Sequence, residues 1–200
     1  MENKYYITSF CTIEANGIWV DGTRVFSSEA ESFNDFSKEA LRHFGIQYPK
    51  FFKMDALSKL AFLGSELLLK DNQEPQTALL LANSSSSLDT DVTYQESIAS
   101  KENYYPSPAV FVYTLPNICL GEISIRHGLK TENSFFIFGA FNAEFLFGYA
   151  ESLLNTGKAK QVLCGWTEFF QEEYKAFLYL VSNEGETEHT IRNLELLYTN

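Results

Sequence analysis

Short apolar runs alternate along this chain with segments of helical periodicity, and no other feature restricts its fold as much. Thr77–Asn83 (TALLLAN) and Ser134–Phe138 (SFFIF) are continuous apolar runs, as expected of strands covered on both faces. Lys160–Glu168 (KQVLCGWTE) reads as another strand, and Lys4–Ile13 (KYYITSFCTI) is rich in β-branched and aromatic residues. Between them lie helices. Ser28–Gly45 has an N-terminal serine, early Glu29 and Glu31, late Arg42 and His43 and a closing glycine, the charge order that a helix dipole favours. Met54–Asn72 places Leu57, Leu60, Ala61, Leu63, Gly64, Leu67 and Leu68 at helical spacing. A weak helix is expected over Ser84–Asn103, then a break at Pro106 and Pro108 and a helix around Pro116 running on to Arg126. Another helix is expected over Phe141–Gly157. The polar stretch with Gly17 and Gly22 receives no element, and Tyr174–Asn200 reads as two strands joined by an Asn-Glu-Gly-Glu turn. Strands alternating with helices predict an α/β sheet with helices on its faces.

At 200 residues the chain can bury one substantial core, so a single domain over 1–200 is expected. The net charge of −11 argues against nucleic acid, whose phosphates demand a basic surface. No apolar run approaches the roughly 20 residues of a membrane span, and the N-terminal MENKYYITSF lacks the features of a secretory leader. Cys11, Cys119 and Cys164 stand alone in apolar stretches and read as buried thiols of a reducing cytoplasm. The 18 phenylalanines and 11 tyrosines suit either a large aromatic core or an apolar pocket or interface.

Few residues offer chemistry. Ser84–Ser87 would need a base and an oxyanion hole to serve as nucleophiles, and no G-x-S-x-G frames them, so caps and turn residues are the ordinary reading. His43 and His127 end expected helices and His189 lies near a turn. None has metal-ligand spacing, so neither a metal nor a cofactor is expected. Lys50, Lys53 and Lys59 form a local cationic run, either a solvated helix start or a landing patch for an acidic partner.

Taken in order, these segments resemble the N-terminal half of a β-ketoacyl synthase, the condensing enzyme of fatty acid and polyketide synthesis. FFKMDALSKLAFLGSELLL is similar to the family's Arg-Met-Asp-x-x-Ser-x-Leu-Ala helix, and ALLLANSSSSLDT to a strand ending in a Gly/Ser-rich turn. YPSPAVFVYTLPNICLGEISIRHGL resembles its Ser-Pro, Asn (Asn117), Gly (Gly121) and Ile-Ser-Ile pattern, and KQVLCGWTE resembles its Gly-Gly-x-Glu strand. Residues 170–200 look like the first strands of the family's C-terminal half. The resemblance implies a thiolase-like half-domain with a mixed sheet, in a short stand-alone form.

In that family a cysteine at the turn between SFFIF and the next helix accepts the acyl chain. The equivalent position here is Ala140, and the region bearing the family's catalytic histidines is absent. The resemblance therefore implies a vacated nucleophile position, with Asn117, Phe138, Phe141 and Asn142 lining the pocket and Lys50, Lys53 and Lys59 facing a carrier protein. The implied function is that of a non-catalytic accessory subunit in fatty-acid-like, aryl-polyene or polyketide synthesis. Its implied partners are a full-length ketosynthase and an acyl carrier protein, in a homo- or hetero-oligomer. An acyl-chain or carrier-protein binding module and a serine hydrolase stand as alternatives.

Overall fold

The computed structural model describes residues 4–102 and 104–199. Residues 1–3, 103 and 200, the last two being where the expected weak helix and the last expected strand end, lie outside it. Strands β1 (Tyr6–Glu14), β2 (Gly17–Val20) and β3 (Thr23–Ser27) open the chain, followed by helices α1 (Phe33–His43) and α2 (Ala56–Leu69). Then come β4 (Thr77–Asn83), α3 (Leu88–Ile98), α4 (Pro108–Val112), α5 (Ile118–His127), β5 (Asn133–Ile137) and α6 (Ala143–Asn155). The last elements are β6 (Gln161–Phe170), β7 (Glu173–Ser182), β8 (Thr187–Glu188) and α7 (Ile191–Thr199).

The strands form one mixed sheet in the order β3-β2-β1-β7-β6-β4-β5, with β8 against the start of β1. Strand β4 lies parallel to both β5 and β6, and β7 pairs antiparallel with β6 and β1. Every residue of β4 is buried, which explains its unbroken apolar run. Side chains alternate between the two sheet faces. Leu79 and Leu81 join Leu60, Leu63, Leu120, Leu163 and Leu178 in a core roofed by α1, α2 and α5. Ala78, Leu80 and Ala82 join Leu146, Ala150, Val162, Phe177 and Leu194 beneath α6 and α7. This is the α/β architecture that the sequence predicts. Gly165 marks the tightest contact: at φ +155°, a Cβ there would fall 2.1 Å from the Phe177 carbonyl oxygen.

Helix α2 is buried almost all round, and its ends are tied accordingly. The Asp55 side chain accepts the Ser58 N–H at 3.0 Å and the Thr90 hydroxyl at 3.0 Å. Near its other end Glu66 is clamped by the guanidinium of Arg126 and lies 3.3 Å from Nε2 of His127. Burial pushes the Glu66 carboxyl up, but His127 and Arg126 outweigh it and hold the pKa at about 2.

Four elements differ from the sequence reading. The polar stretch with Gly17 and Gly22 is the β2–β3 hairpin, whose turn places Asp21 and Gly22 at φ 50° and 76°. Two residues at positive φ match the right-handed twist of a hairpin. Helix α1 begins after Ser32, which accepts the Asp35 N–H; the hydroxyl of Ser28 instead donates to Glu39. The helix expected across Pro116 is two, α4 and α5, because proline cannot supply an interior N–H. The final expected strand is the helix α7: Thr190 accepts the Asn193 N–H at 3.2 Å, and Ile191, Leu194, Leu197 and Tyr198 pack on the second face.

Candidate functional site

The carboxyl ends of the parallel strands β4, β5 and β6 meet at one edge of the sheet, where open α/β folds place their ligands. A cleft of about 670 Å³ opens there. Ser84 and Ser85 contribute from the end of β4, Gly139 to Phe141 from the β5–α6 turn, and Trp166, Glu168 and Phe170 from β6. The start of β7 adds Glu173, Tyr174 and Lys175, and the end of α7 adds Glu195, Tyr198 and Thr199.

Ala140 is exposed in the β5–α6 turn and lines this cleft. Asn142 caps the following helix, its side-chain oxygen accepting the Phe145 N–H at 3.0 Å. Phe141 turns inward and stacks on Tyr198, with ring centroids 4.2 Å apart and planes 13° apart, while meeting Trp166 and Phe177 edge-on. Phe138 faces away from the cleft lining into a separate aromatic group with Phe136 and Phe145. Asn117 precedes α5, outside the cleft lining. Of the residues grouped from the sequence, then, the cleft brings together Ala140 and Phe141, with Asn142 immediately behind them.

The serine run is held by an acid. The Glu168 carboxylate accepts the Ser84 N–H at 2.6 Å and the Ser85 N–H at 3.3 Å. Asn83 closes the same loop through the backbone N–H and carbonyl of Ser86, which sits at φ 53°. Ser87 donates its hydroxyl to the Thr114 carbonyl at 2.7 Å. No histidine or cysteine is among the described residues that line the cleft. Burial pushes all three thiols, Cys11, Cys119 and Cys164, well above the usual range. The backbone N–H groups of Ser84 and Ser85 are thus committed to Glu168, and no histidine stands beside these serines in the cleft.

Across the cleft Lys175 is fully engaged. Its ammonium is 3.0 Å from Glu14, donates to the Tyr198 carbonyl at 3.1 Å and lies 4.5 Å from the centre of the Tyr198 ring. Burial, then Glu14 and Glu168, raise the Tyr198 phenol. Glu168, Trp166, Lys175 and Tyr198 form much of the site, and sequence reasoning did not select them. The Gly165-Trp-Thr-Glu168 spacing was a signal for Glu168 alone.

The structure separates the three lysines of the expected carrier-protein patch. Lys59 is buried on α2 and donates to Asn34 at 2.9 Å, and burial, with help from Lys38, lowers its pKa. Lys50 pairs at 2.9 Å with the buried Glu122. Lys53 is exposed. A helix interior buries what a sequence reading takes for a solvated lysine, so Lys59 does not belong to such a patch, while Lys50 and Lys53 stay exposed. No group of acidic, histidine or cysteine residues suited to a metal occurs among the described residues, and no described helix is long and apolar enough to cross a membrane.

No protein-family model matches the sequence, and no curated protein is detectably similar to it. Solved structures are similar in fold. The ishigamide ketosynthase/chain length factor matches with a TM-score of 0.65 at 18% identity, over 90% of this chain and 62% of that one. The ketosynthase ApeO in complex with its chain length factor ApeC, from Xenorhabdus doucetiae, matches with a TM-score of 0.63 at 15% identity, over 98% of this chain and 90% of that one. The AntDE–AntF assembly, a type II polyketide synthase acyl carrier protein in complex with its ketosynthase, matches with a TM-score of 0.56 at 16% identity, over 96% and 66% of the two chains. The chain has the thiolase-like fold of the ketosynthases. At these identities it is the fold that is shared, and the chain spans about three-fifths of the length of the ishigamide protein it matches.

Proposed function

We propose that this protein is a non-catalytic ketosynthase-like subunit that pairs with a condensing enzyme during fatty-acid-like, aryl-polyene or polyketide synthesis. The observation that carries the reading is Ala140. It occupies the exposed strand-to-helix turn at the head of α6, where a helix N-terminus would favour a thiolate, and it carries only a methyl group. A methyl group cannot form a thioester, so no acyl chain can be loaded there. The partners named for similar folds, a ketosynthase with its chain length factor and a ketosynthase with its carrier protein, favour an assembly role. Glu168, Glu173 and Glu195 in the cleft disfavour the direct capture of an anionic carrier protein.

Affinity purification of the tagged protein from its native host, with mass spectrometry, tests the pairing. A condensing enzyme recovered in near-stoichiometric amount is the expected result; recovery of the chain with no such enzyme would refute it. Intact-mass measurement after incubation with acyl-loaded carrier protein should show no acyl adduct, and a stable adduct would overturn the non-catalytic part.

A further inference from the structure

A second hollow, of about 520 Å³, adjoins the cleft and is lined by Asn16, Glu31, Phe33 and Glu172; Glu173 and Tyr174 line both. The lining is of two kinds. The rings of Phe141, Trp166, Phe170 and Tyr198 supply the apolar surface of the cleft. Against them stand five carboxylates, those of Glu31, Glu168, Glu172, Glu173 and Glu195. Lys175 is the one cation that lines either hollow among the described residues, and Glu14, 3.0 Å away, already neutralises it.

The acids differ in what holds them. Glu168 accepts from Ser84 and Ser85, and Glu172 accepts the Phe33 N–H at 2.7 Å, so the backbone fixes both. The carboxylates of Glu31, Glu173 and Glu195 are exposed and have no ion pair or hydrogen bond among the described residues. Like charges lining one cleft repel, and a cation placed among them relieves the repulsion.

This lining selects the occupant. An anionic carrier protein, or a second copy of a chain of net charge −11, would set acid against acid. Guanidinium and ammonium groups pair with carboxylates and also lie over aromatic faces, as Lys175 does 4.5 Å from the centre of the Tyr198 ring. Two adjoining hollows suit a stretch of chain. We infer that the cleft and the hollow beside it form a socket for an extended segment of the condensing enzyme that carries arginine or lysine next to an apolar residue. The inference rests on the pairing reading above and adds to it the face used and the chemistry of the opposing surface.

The test purifies four tagged forms from the native host: wild type, Glu173→Gln with Glu195→Gln, Ala140→Arg, and Glu184→Gln with Glu186→Gln. The first double variant removes charge from the socket, and Ala140→Arg fills it with a cation of the chain's own. The last form is the control, removing the same charge beyond the far end of β7. All five positions are exposed, so the fold should survive, which circular dichroism checks. The purified chain alone is also sedimented. We expect the condensing enzyme recovered with wild type to fall about fivefold with Glu173→Gln and Glu195→Gln and about tenfold or more with Ala140→Arg, and to be unchanged with the control. The chain alone should sediment as a monomer. Undiminished recovery with either socket variant overturns the inference while leaving the pairing intact. An equal loss with the control overturns it as well, because overall charge would then account for the effect. A wild-type chain that brings down no condensing enzyme removes both the pairing and this inference. A dimer of the chain alone that Ala140→Arg dissociates would put a second copy in the socket and overturn the occupant named here.

Discussion

Mild acid should destabilise the fold through His189. This side chain lies two residues before α7, between the rings of Phe147 and Tyr179, and is 3% exposed. Its nearest carboxylate is that of Glu151, 3.7 Å away. Burial lowers its pKa from the ordinary 6.5 to about 4. The folded protein thus keeps a neutral imidazole where the unfolded chain takes up a proton. Stability from this residue is complete above pH 6.5 and is lost as pH falls towards 4, because the unfolded state binds more protons across that window. Between pH 8 and pH 5 the two pKa values give about a thirtyfold change in the folding constant, about 2 kcal/mol. Urea unfolding at the two pH values, for wild type and His189→Gln, reads the effect. The loss due to His189 is the wild-type change less that of the variant, which removes contributions from other groups. Glu66 adds little at pH 5, since its own contribution is lost only below pH 4.5. Equal pH dependence in both proteins would refute the account of His189 as a buried neutral group.

Other outcomes follow from the same packing. Ala140→Cys should create a thiol that reacts with iodoacetamide in the folded protein, while Cys11, Cys119 and Cys164 stay unlabelled until unfolding; peptide mapping after brief alkylation distinguishes them. Gly165→Ala should be strongly destabilising, by more than about 3 kcal/mol in denaturant unfolding, because its Cβ would strike the β7 backbone. Arg126→Ala strips the buried Glu66 of its guanidinium and should cost up to about 3 kcal/mol, the Arg126 side chain being partly open to water; a change below about 0.5 kcal/mol in urea would contradict the role given to this pair.

Much of the architecture was legible because its signals are local. The unbroken apolar run of β4 states that both faces are covered, and the spacing in α2 states a helix. The β2–β3 hairpin was missed although Asp21-Gly22 stands between β-branched residues, because its strands are short and β3 is half polar. Helix α7 was misread because Leu196, Leu197 and Tyr198 form a strand-like run, whereas Ile191, Leu194 and Tyr198 set the true period. At the site, Ala140 follows from one strand-to-helix turn. The Glu168 clamp joins residues 84 positions apart, and the burial of Lys59 depends on Asn34. No local pattern encodes such pairings.

The sheet order also dictates how this chain must be assembled. Strand β7 lies between β6 and β1, and Thr8 donates across that seam to the carbonyl of Leu180, 172 residues away. Until residues 173–182 leave the ribosome, the first strand has no neighbour on that side, and β6 shows a bare edge as well. Contacts so distant in sequence form slowly. The nascent chain therefore carries the open edge of β1 through the making of every element up to β6, whose own bare edge is brief, and its vulnerable period for aggregation ends only when the β6–β7 hairpin closes the gap.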